Sequence, residues 1–298
     1  MNPVDGQKPT VATGFGRSRI RIGQVVWVSQ GQTVDAVVRE VRDAELSACQ
    51  IGFDGLSLSD AAPLRAALNR YGIEGTAISE HNPGVRIFDF YEGPRTIGII
   101  PPATRKARIA ALKLAADVAH AAGIPAIHSH LGFIPEDPND VLYPEAVAAV
   151  KEVAAYCKPL GISLLCETGQ ETPITMVRLI DDVGLGNVFV NLDVANLILY
   201  GKGNPVDAMD VLGERVRGVH AKDGRFPTST RTLGKEVLMG EGRVDFPTLL
   251  HRLKQVNYGG TMLLELESGS EDERKRNLIY SRDFLARLLA ATYSEPAA

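Results

Sequence analysis

Four short apolar runs in the second half of the chain each close on a side chain that can bind a metal or move a proton. "SLLCETGQE" reaches Glu167, "VFVNLDVAN" reaches Asp193, "RVRGVHAKD" contains His220, and "TMLLELES" contains Glu265. Buried strands exclude such groups unless they are paired or bind something. Taken singly, a carboxylate at a strand end is often a turn or cap residue, and one histidine is often a hydrogen-bonded core residue. Four in succession, one per strand and all at the same end, ask for a common cause. Three carboxylates gathered around an imidazole repel one another unless a cation sits between them. The quartet Glu167, Asp193, His220 and Glu265 is therefore read as a divalent metal site. Its oxygen-rich donor set favours manganese, Mn²⁺, with Mg²⁺ or Co²⁺ as alternatives, over a closed structural zinc site.

Four protein ligands leave about two positions of an octahedron open, and a hydroxy-ketone presents two adjacent oxygens. Polarising that carbonyl stabilises a developing enediolate and acidifies the neighbouring C–H, which a carboxylate beside it can then abstract. Lys222 lies two residues beyond His220 and shares its side of the strand. It could hold a substrate oxygen, neutralise the carboxylates, or be a solvated loop lysine. Glu267 shares the side of Glu265 by the same alternation. His128 and His130 in "IHSHLGF" could orient substrate hydroxyls, support the side chains that hold the site, or serve packing, and Glu80 with His81 could line the pocket. Trp27 could stack on a sugar face or fill the barrel floor. Asp223-Gly224 reads as the turn after a strand. Gly240 and Gly242 in "GEGRVDF" permit a tight loop, with Asp245 capping the next helix. Cys166, next to Glu167, faces the opposite side of the strand and is a poor nucleophile.

The elements that must position these groups follow from the alternation of apolar runs with amphipathic segments. Strands are expected at 20–28, 48–56, 73–79, 124–128, 163–167, 188–193, 216–220 and 261–265. Helices are expected at 34–46, 104–122, 144–160, 174–183, 246–256 and 273–289, several ending in a glycine such as those of "YGI", "AGI" and "LGI". Strands alternating with helices predict an α/β fold with a parallel sheet, and eight such units over this length match a (β/α)8 TIM barrel. No GxGxxG opens the first helix, which argues against a dinucleotide-binding fold. The expected organisation is a flexible tail over residues 1–18 and a single catalytic barrel domain over 19–298.

Composition narrows the function class. The 32 Lys and Arg against 36 Asp and Glu give a net charge of -4, which disfavours a dedicated nucleic-acid binder. Three scattered cysteines, Cys49, Cys157 and Cys166, show no disulfide or CxxC framework. No secretory signal or membrane-spanning run is evident. A cytoplasmic protein acting on a small molecule, with no nucleic-acid or membrane partner, is the expectation.

With Glu167, Asp193, the "HAKD" around His220, "GEGRVDF" and "LLELE", the chain resembles the xylose isomerase-like TIM-barrel superfamily of sugar isomerases and epimerases. The resemblance covers most of the chain from about residue 20. It implies Mn²⁺, Mg²⁺ or Co²⁺ held by a Glu, Asp, His, Glu set, with Glu167 and Glu265 also the acid/base pair and Asp193 and His220 chiefly holding the metal. It further implies a sugar substrate and a homo-oligomer, dimer or tetramer. The chain departs from many ketose epimerases in carrying Asn196 where they place a substrate-contacting histidine, and in offering only Gln170 and Glu171 near a further expected glutamate. The superfamily also contains enzymes acting on 3-keto-glycosides, so a lyase that eliminates a β-substituent after the same first step is the close alternative. Non-catalytic sugar binding is a more distant one. The related abasic-site endonucleases use three zinc ions and many more histidines than the six here, which argues against phosphodiester hydrolysis. No phosphate-binding signature is evident, which points to non-phosphorylated sugars.

Overall fold

The apolar runs close into a barrel. The computed structural model describes residues 20–80 and 83–293, the Glu80 side chain excepted. Its strands are β1 (Arg21–Val28), β2 (Ala48–Phe53), β3 (Glu74–Glu80), β4 (Ala126–Ser129), β5 (Ser163–Glu167), β6 (Val188–Asp193), β7 (Val216–Ala221), β8 (Asp223–Arg225), β9 (Lys235–Val237) and β10 (Thr261–Leu264). Eight of them form a closed parallel barrel in which β1 to β7 follow in order and β10 completes the ring between β7 and β1. β8 and β9 make a separate antiparallel hairpin. The fold is the expected (β/α)8 barrel. The tail expected over residues 1–18 lies outside the described residues.

The helices are α1 (Val34–Asp43), α2 (Ala61–Tyr71), α3 (Gly93–Thr96), α4 (Pro102–Ala122), α5 (Leu142–Cys157), α6 (Pro173–Val183), α7 (Asn196–Leu199), α8 (Pro205–Leu212), α9 (Phe246–Gln255) and α10 (Glu271–Tyr293). α1 shows the logic of the outer ring. Thr33 caps its start by accepting from the Ala36 N–H, and Val34, Val37, Val38 and Val41 form one buried stripe at helical spacing. Gly72 and Gly123 end α2 and α4 in the left-handed conformation that glycine adopts without strain, turning the chain into β3 and β4. Pro125 has no N–H for the ladder, and β4 begins only at Ala126, later than the sequence suggests.

Four helices, α2, α8 and the single-turn α3 and α7, and the hairpin were not among the expected elements. The buried stripe of α2 is half alanine (Ala61, Leu64, Ala67, Leu68), so its apolar period is faint. α8 is only eight residues long. No helix among the described residues is long and apolar enough to cross a membrane.

Candidate active site

The four strand-end residues meet at the C-terminal mouth of the barrel. Glu167, Asp193, His220 and Glu265 each bring a ligand atom within 4.8 Å of the others. Nδ1 of His220 lies 3.2 Å from Glu265 Oε2, 3.3 Å from Glu167 Oε1 and 3.8 Å from Asp193 Oδ2. Register explains the convergence. Asp193 is the partner of His220 across β6 and β7, and Leu264 is the partner of Ala221 across β10 and β7. Glu265, one residue past the end of β10, therefore falls beside Lys222.

Each ligand is held by a specific neighbour. Asp193 Oδ1 accepts from the N–H groups of Ala195 (2.9 Å) and Asn196 (2.7 Å), which leaves Oδ2 to face inward. Asn196 donates its side-chain amide to Glu167 Oε1 at 3.0 Å. His128 Nε2 and His130 Nε2 stand 2.7 and 3.1 Å from Glu167 Oε2. Gln170 in turn bridges His130 Nδ1 and the Tyr200 hydroxyl, each at 3.1 Å. Asn196, His128 and His130 thus all approach the Glu167 carboxylate, a supporting role being one of those the sequence allowed for the two histidines.

An orphaned atom tests the fit of a metal. His220 Nδ1 is buried and makes no hydrogen bond, while the buried Asp193 Oδ2 is met by Lys222 Nζ at 3.1 Å and Glu167 Oε2 by the rings of His128 and His130. A buried polar atom without a partner costs about 1–3 kcal/mol. An unpartnered imidazole nitrogen with carboxylate oxygens crowded beside it matches the donor chemistry of a divalent cation. His128 forms an overlapping group with Glu167 and His220.

Electrostatics follow from burial and crowding. Burial pushes the Asp193 carboxyl well above the usual carboxylate range against the pull of Lys222, with Glu265 and Glu167 adding to the rise. Burial acts the same way on Glu167, but the charges of His130, His128 and His220 outweigh it and hold that carboxyl well below the range. For Glu265, Lys222 and His220 likewise overcome burial and lower the carboxyl. Burial lowers His128, while for His220 the Glu265 and Glu167 charges overcome burial and raise it.

Lys222 takes the neutralising role among those the sequence allowed. Only 2% exposed, its ammonium lies 2.7 Å from Glu265 Oε2, 2.7 Å from Glu267 Oε2 and 3.1 Å from Asp193 Oδ2. Beside the quartet opens a cavity of about 460 Å³, large enough for a sugar. Trp27, Phe88, His128, His130, Glu167 and Glu265 line it. The ring of Trp27 lies over Gly52, its register partner, where a Cβ would collide with it. A cavity of about 450 Å³ at the opposite end of the barrel holds none of the four ligands.

Two readings change and one lies outside view. Asp223 is not merely a turn residue. Its buried carboxylate accepts four backbone N–H groups, from Gly224, Gly240, Gly242 and Val244, and so ties the "GEGRVDF" loop to the start of β8, just beyond the strand carrying His220. Gln50 and Ser79, which the sequence reading passed over, belong to the site: Gln50 Oε1 is 3.1 Å from His220 Nε2, and its amide donates to Ser79 at 2.7 Å. A lone amide in the wholly buried strand "ACQIGF" was the signal that could have found Gln50. The Glu80 side chain and His81 lie outside the described residues. Cys166 is buried and free, as expected.

A parallel barrel with a convergent carboxylate and histidine cluster at its C-terminal mouth defines the class of the molecule. The family model for the xylose isomerase-like TIM barrel matches residues 38–288, and the chain belongs to that family. It is similar to "Putative L-ribulose-5-phosphate 3-epimerase SgbU" of Escherichia coli (strain K12), at 33% identity over 105 residues, 34% of this chain and 36% of that protein. The match thus spans about a third of that curated relative. Among solved structures, the chain is similar to a xylose isomerase domain protein from Planctomyces limnophilus, with a TM-score of 0.84 and 28% identity over 91% of this chain and 99% of that one. The fold is also similar to that of a xylose isomerase-like TIM barrel protein from Mycobacterium smegmatis in complex with magnesium, with a TM-score of 0.63 and 17% identity over 87% of this chain and 89% of that one.

Proposed function

We propose that this chain is a divalent-metal-dependent sugar isomerase or epimerase that removes a proton next to the carbonyl of a keto sugar, through an enediolate. The observation that carries the reading is the approach of two carboxylates to one imidazole nitrogen: Glu167 and Glu265, on strands separated by β6 and β7, both come within 3.3 Å of His220 Nδ1. Glu167, Asp193, His220 and Glu265 would hold the cation, with Mn²⁺ or Mg²⁺ matching the donor set. Bound there, the cation would supply Lewis-acid polarisation of the carbonyl and offset the charge of the enediolate.

The residues of the chain do the rest. Glu167, whose carboxyl lies well below the usual carboxylate range, is ionised and available as a base at neutral pH. Glu265, reached from the other flank, serves as the second acid/base group, and Lys222 keeps it oriented. His128, His130 and Asn196 fix the Glu167 oxygens. The cavity beside them, floored in part by Trp27, takes the sugar. The epimerase name of the Escherichia coli relative supports the reaction class, and the magnesium of the Mycobacterium smegmatis protein supports a hard cation.

Proton NMR in D2O with Mg²⁺-loaded protein and a panel of free ketoses, their phosphates and 3-keto-glycosides tests the reading. Loss of one carbon-bound proton signal, absent in Glu265→Gln, is the expected result. Turnover that survives Glu265→Gln would sink the two-base scheme. A new vinyl signal would show elimination, and sugar binding without exchange would show a non-catalytic barrel.

A further inference from the structure

The buried polar groups of β2, β3 and β4 do not serve the barrel ladder; they connect His220 to Glu167 by a second route. From His220 Nε2 the chain runs 3.1 Å to Gln50 Oε1, then 2.7 Å from Gln50 Nε2 to Ser79 Oγ. From Ser79 Oγ it runs 3.0 Å to His128 Nδ1, and from His128 Nε2 it closes 2.7 Å from Glu167 Oε2. All five residues are buried, none more than 6% exposed, although Gln50, Ser79, His128 and Glu167 also border the cavity beside the quartet. The route crosses the barrel interior from β7 to β2 and returns through β3 and β4 to β5.

Every link has a direction, and the directions are coupled. A nitrogen that offers its lone pair to a cation leaves the hydrogen of a neutral imidazole on the other nitrogen. With Nδ1 of His220 facing the cluster, Nε2–H donates to Gln50 Oε1. The Gln50 amide nitrogen then donates to Ser79, the Ser79 hydroxyl donates to His128 Nδ1, and His128 must carry its hydrogen on Nε2, toward Glu167. Reversing the Gln50 amide reverses every link. It would put the hydrogen of a neutral His220 on Nδ1, where a cation needs a lone pair, and leave the lone pair of a neutral His128 facing a carboxylate oxygen at 2.7 Å. Only one direction suits both ends.

We infer that Gln50 and Ser79 are positioning residues that set the tautomers of His220 and His128 together, so that the nitrogen offered to the metal and the N–H offered to Glu167 are fixed by one hydrogen-bond chain. Outer partners of metal-bound histidines act this way in general, and losing one typically costs about 10–100-fold in metal affinity or activity. Here the same device reaches past the metal ligand to the carboxylate proposed as base. The tautomer assignment rests on the metal-holding part of the proposed function, and the kinetic consequence on its reaction as well.

The test is a long-range proton–nitrogen correlation spectrum of histidine-labelled, Mg²⁺-loaded protein, with His128 and His220 assigned by substitution. The expected spectrum shows the hydrogen on Nε2 of both rings. In Ser79→Ala, His128 should lose that single tautomer while His220 keeps its own; Ser79→Thr, which retains the hydroxyl, should restore it. Gln50→Leu should weaken Mg²⁺ binding by about 10-fold or more in calorimetry. In the reaction, Ser79→Ala should lower kcat with little change in KM. An Nδ1–H on His128 in the loaded wild-type protein, as direct ligation of metal by His128 would require, overturns the inference without any variant having to fold. So does a His128 signal unchanged by Ser79→Ala. Normal tautomers with no turnover of any sugar would instead overturn the proposed reaction and leave the positioning chain standing.

Discussion

The ammonium of Lys222 and the carboxylate of Glu265 meet at 2.7 Å, and the same Glu265 oxygen lies 3.2 Å from His220 Nδ1. One oxygen thus answers to both cationic partners, and Lys222 also serves Asp193 and Glu267. Breaking a buried ion pair by removing one partner costs about 3–5 kcal/mol, because the other charge is left uncompensated. Lys222→Met should therefore destabilise the metal-free protein by about that amount in denaturant unfolding. Saturating Mg²⁺ should recover a large part of the loss, since it would supply counter-charge to the same carboxylates. An equal loss with and without Mg²⁺ would show that the lysine and the metal do not share partners.

The unpartnered His220 Nδ1 and the carboxylates crowded around it predict that metal binding is also stabilising. A ligand at about 100 times its Kd adds about 2.7 kcal/mol to a protein that binds it only when folded. Thermal unfolding with Mg²⁺ or Mn²⁺ should show a raised Tm that chelation reverses. His220→Ala and Asp193→Asn should abolish the shift, because each removes a donor that no neighbour replaces.

Glu171 gives a pH signature away from the metal ligands. Its buried carboxyl is pushed up to about 8 by desolvation, with the charge of Glu136 adding. Neither carboxylate oxygen makes a hydrogen bond. Between its ordinary value near 4.5 and about 8, the folded chain keeps a proton that the unfolded chain has released. Stability contributed by this group is thus full below the ordinary value and falls as pH rises to about 8, by at most about 1.4 kcal/mol per pH unit. Relative to wild type, Glu171→Gln should gain stability steadily from pH 5 to pH 8 and no more above it. A pH-independent difference between the two proteins would show that the carboxyl is ionised throughout.

Asp223 and Gly242 form a matched pair. The carboxylate takes the Gly242 N–H at 2.9 Å, and a Cβ at Gly242 would collide with that carboxylate. Asp223→Ala strands four backbone donors and should cost about 4 kcal/mol or more, at about 1–3 kcal/mol for each donor left unpaired. Gly242→Ala should cost about 1–3 kcal/mol through overpacking. Asp245→Ala, which removes an exposed cap on α9, should cost only about 1 kcal/mol. Urea unfolding of the three variants checks the order; a loss at Asp223 no larger than that at Asp245 would contradict the anchoring role.

The sequence by itself determined the barrel and its chemical end. Eight apolar runs alternating with helices admit one closed parallel arrangement, and in such a barrel the strand ends that carry Glu167, Asp193, His220 and Glu265 must share a mouth. Those four residues were legible because charge inside an apolar run is costly and therefore conspicuous. Tertiary structure decided what surrounds them. Gln50 and His220 are 170 residues apart along the chain and meet only because β2 and β7 enclose one interior. Gln50 stands out only as a lone amide in a buried strand, and Ser79, small and neutral, is not set apart by anything local. Asn196, His128 and His130 all reach Glu167 through the register of β4, β5 and β6, which no local run of sequence records. Local sequence records which side chains a strand buries; it does not record which distant strand will face them, because that follows from the stagger with which the barrel closes.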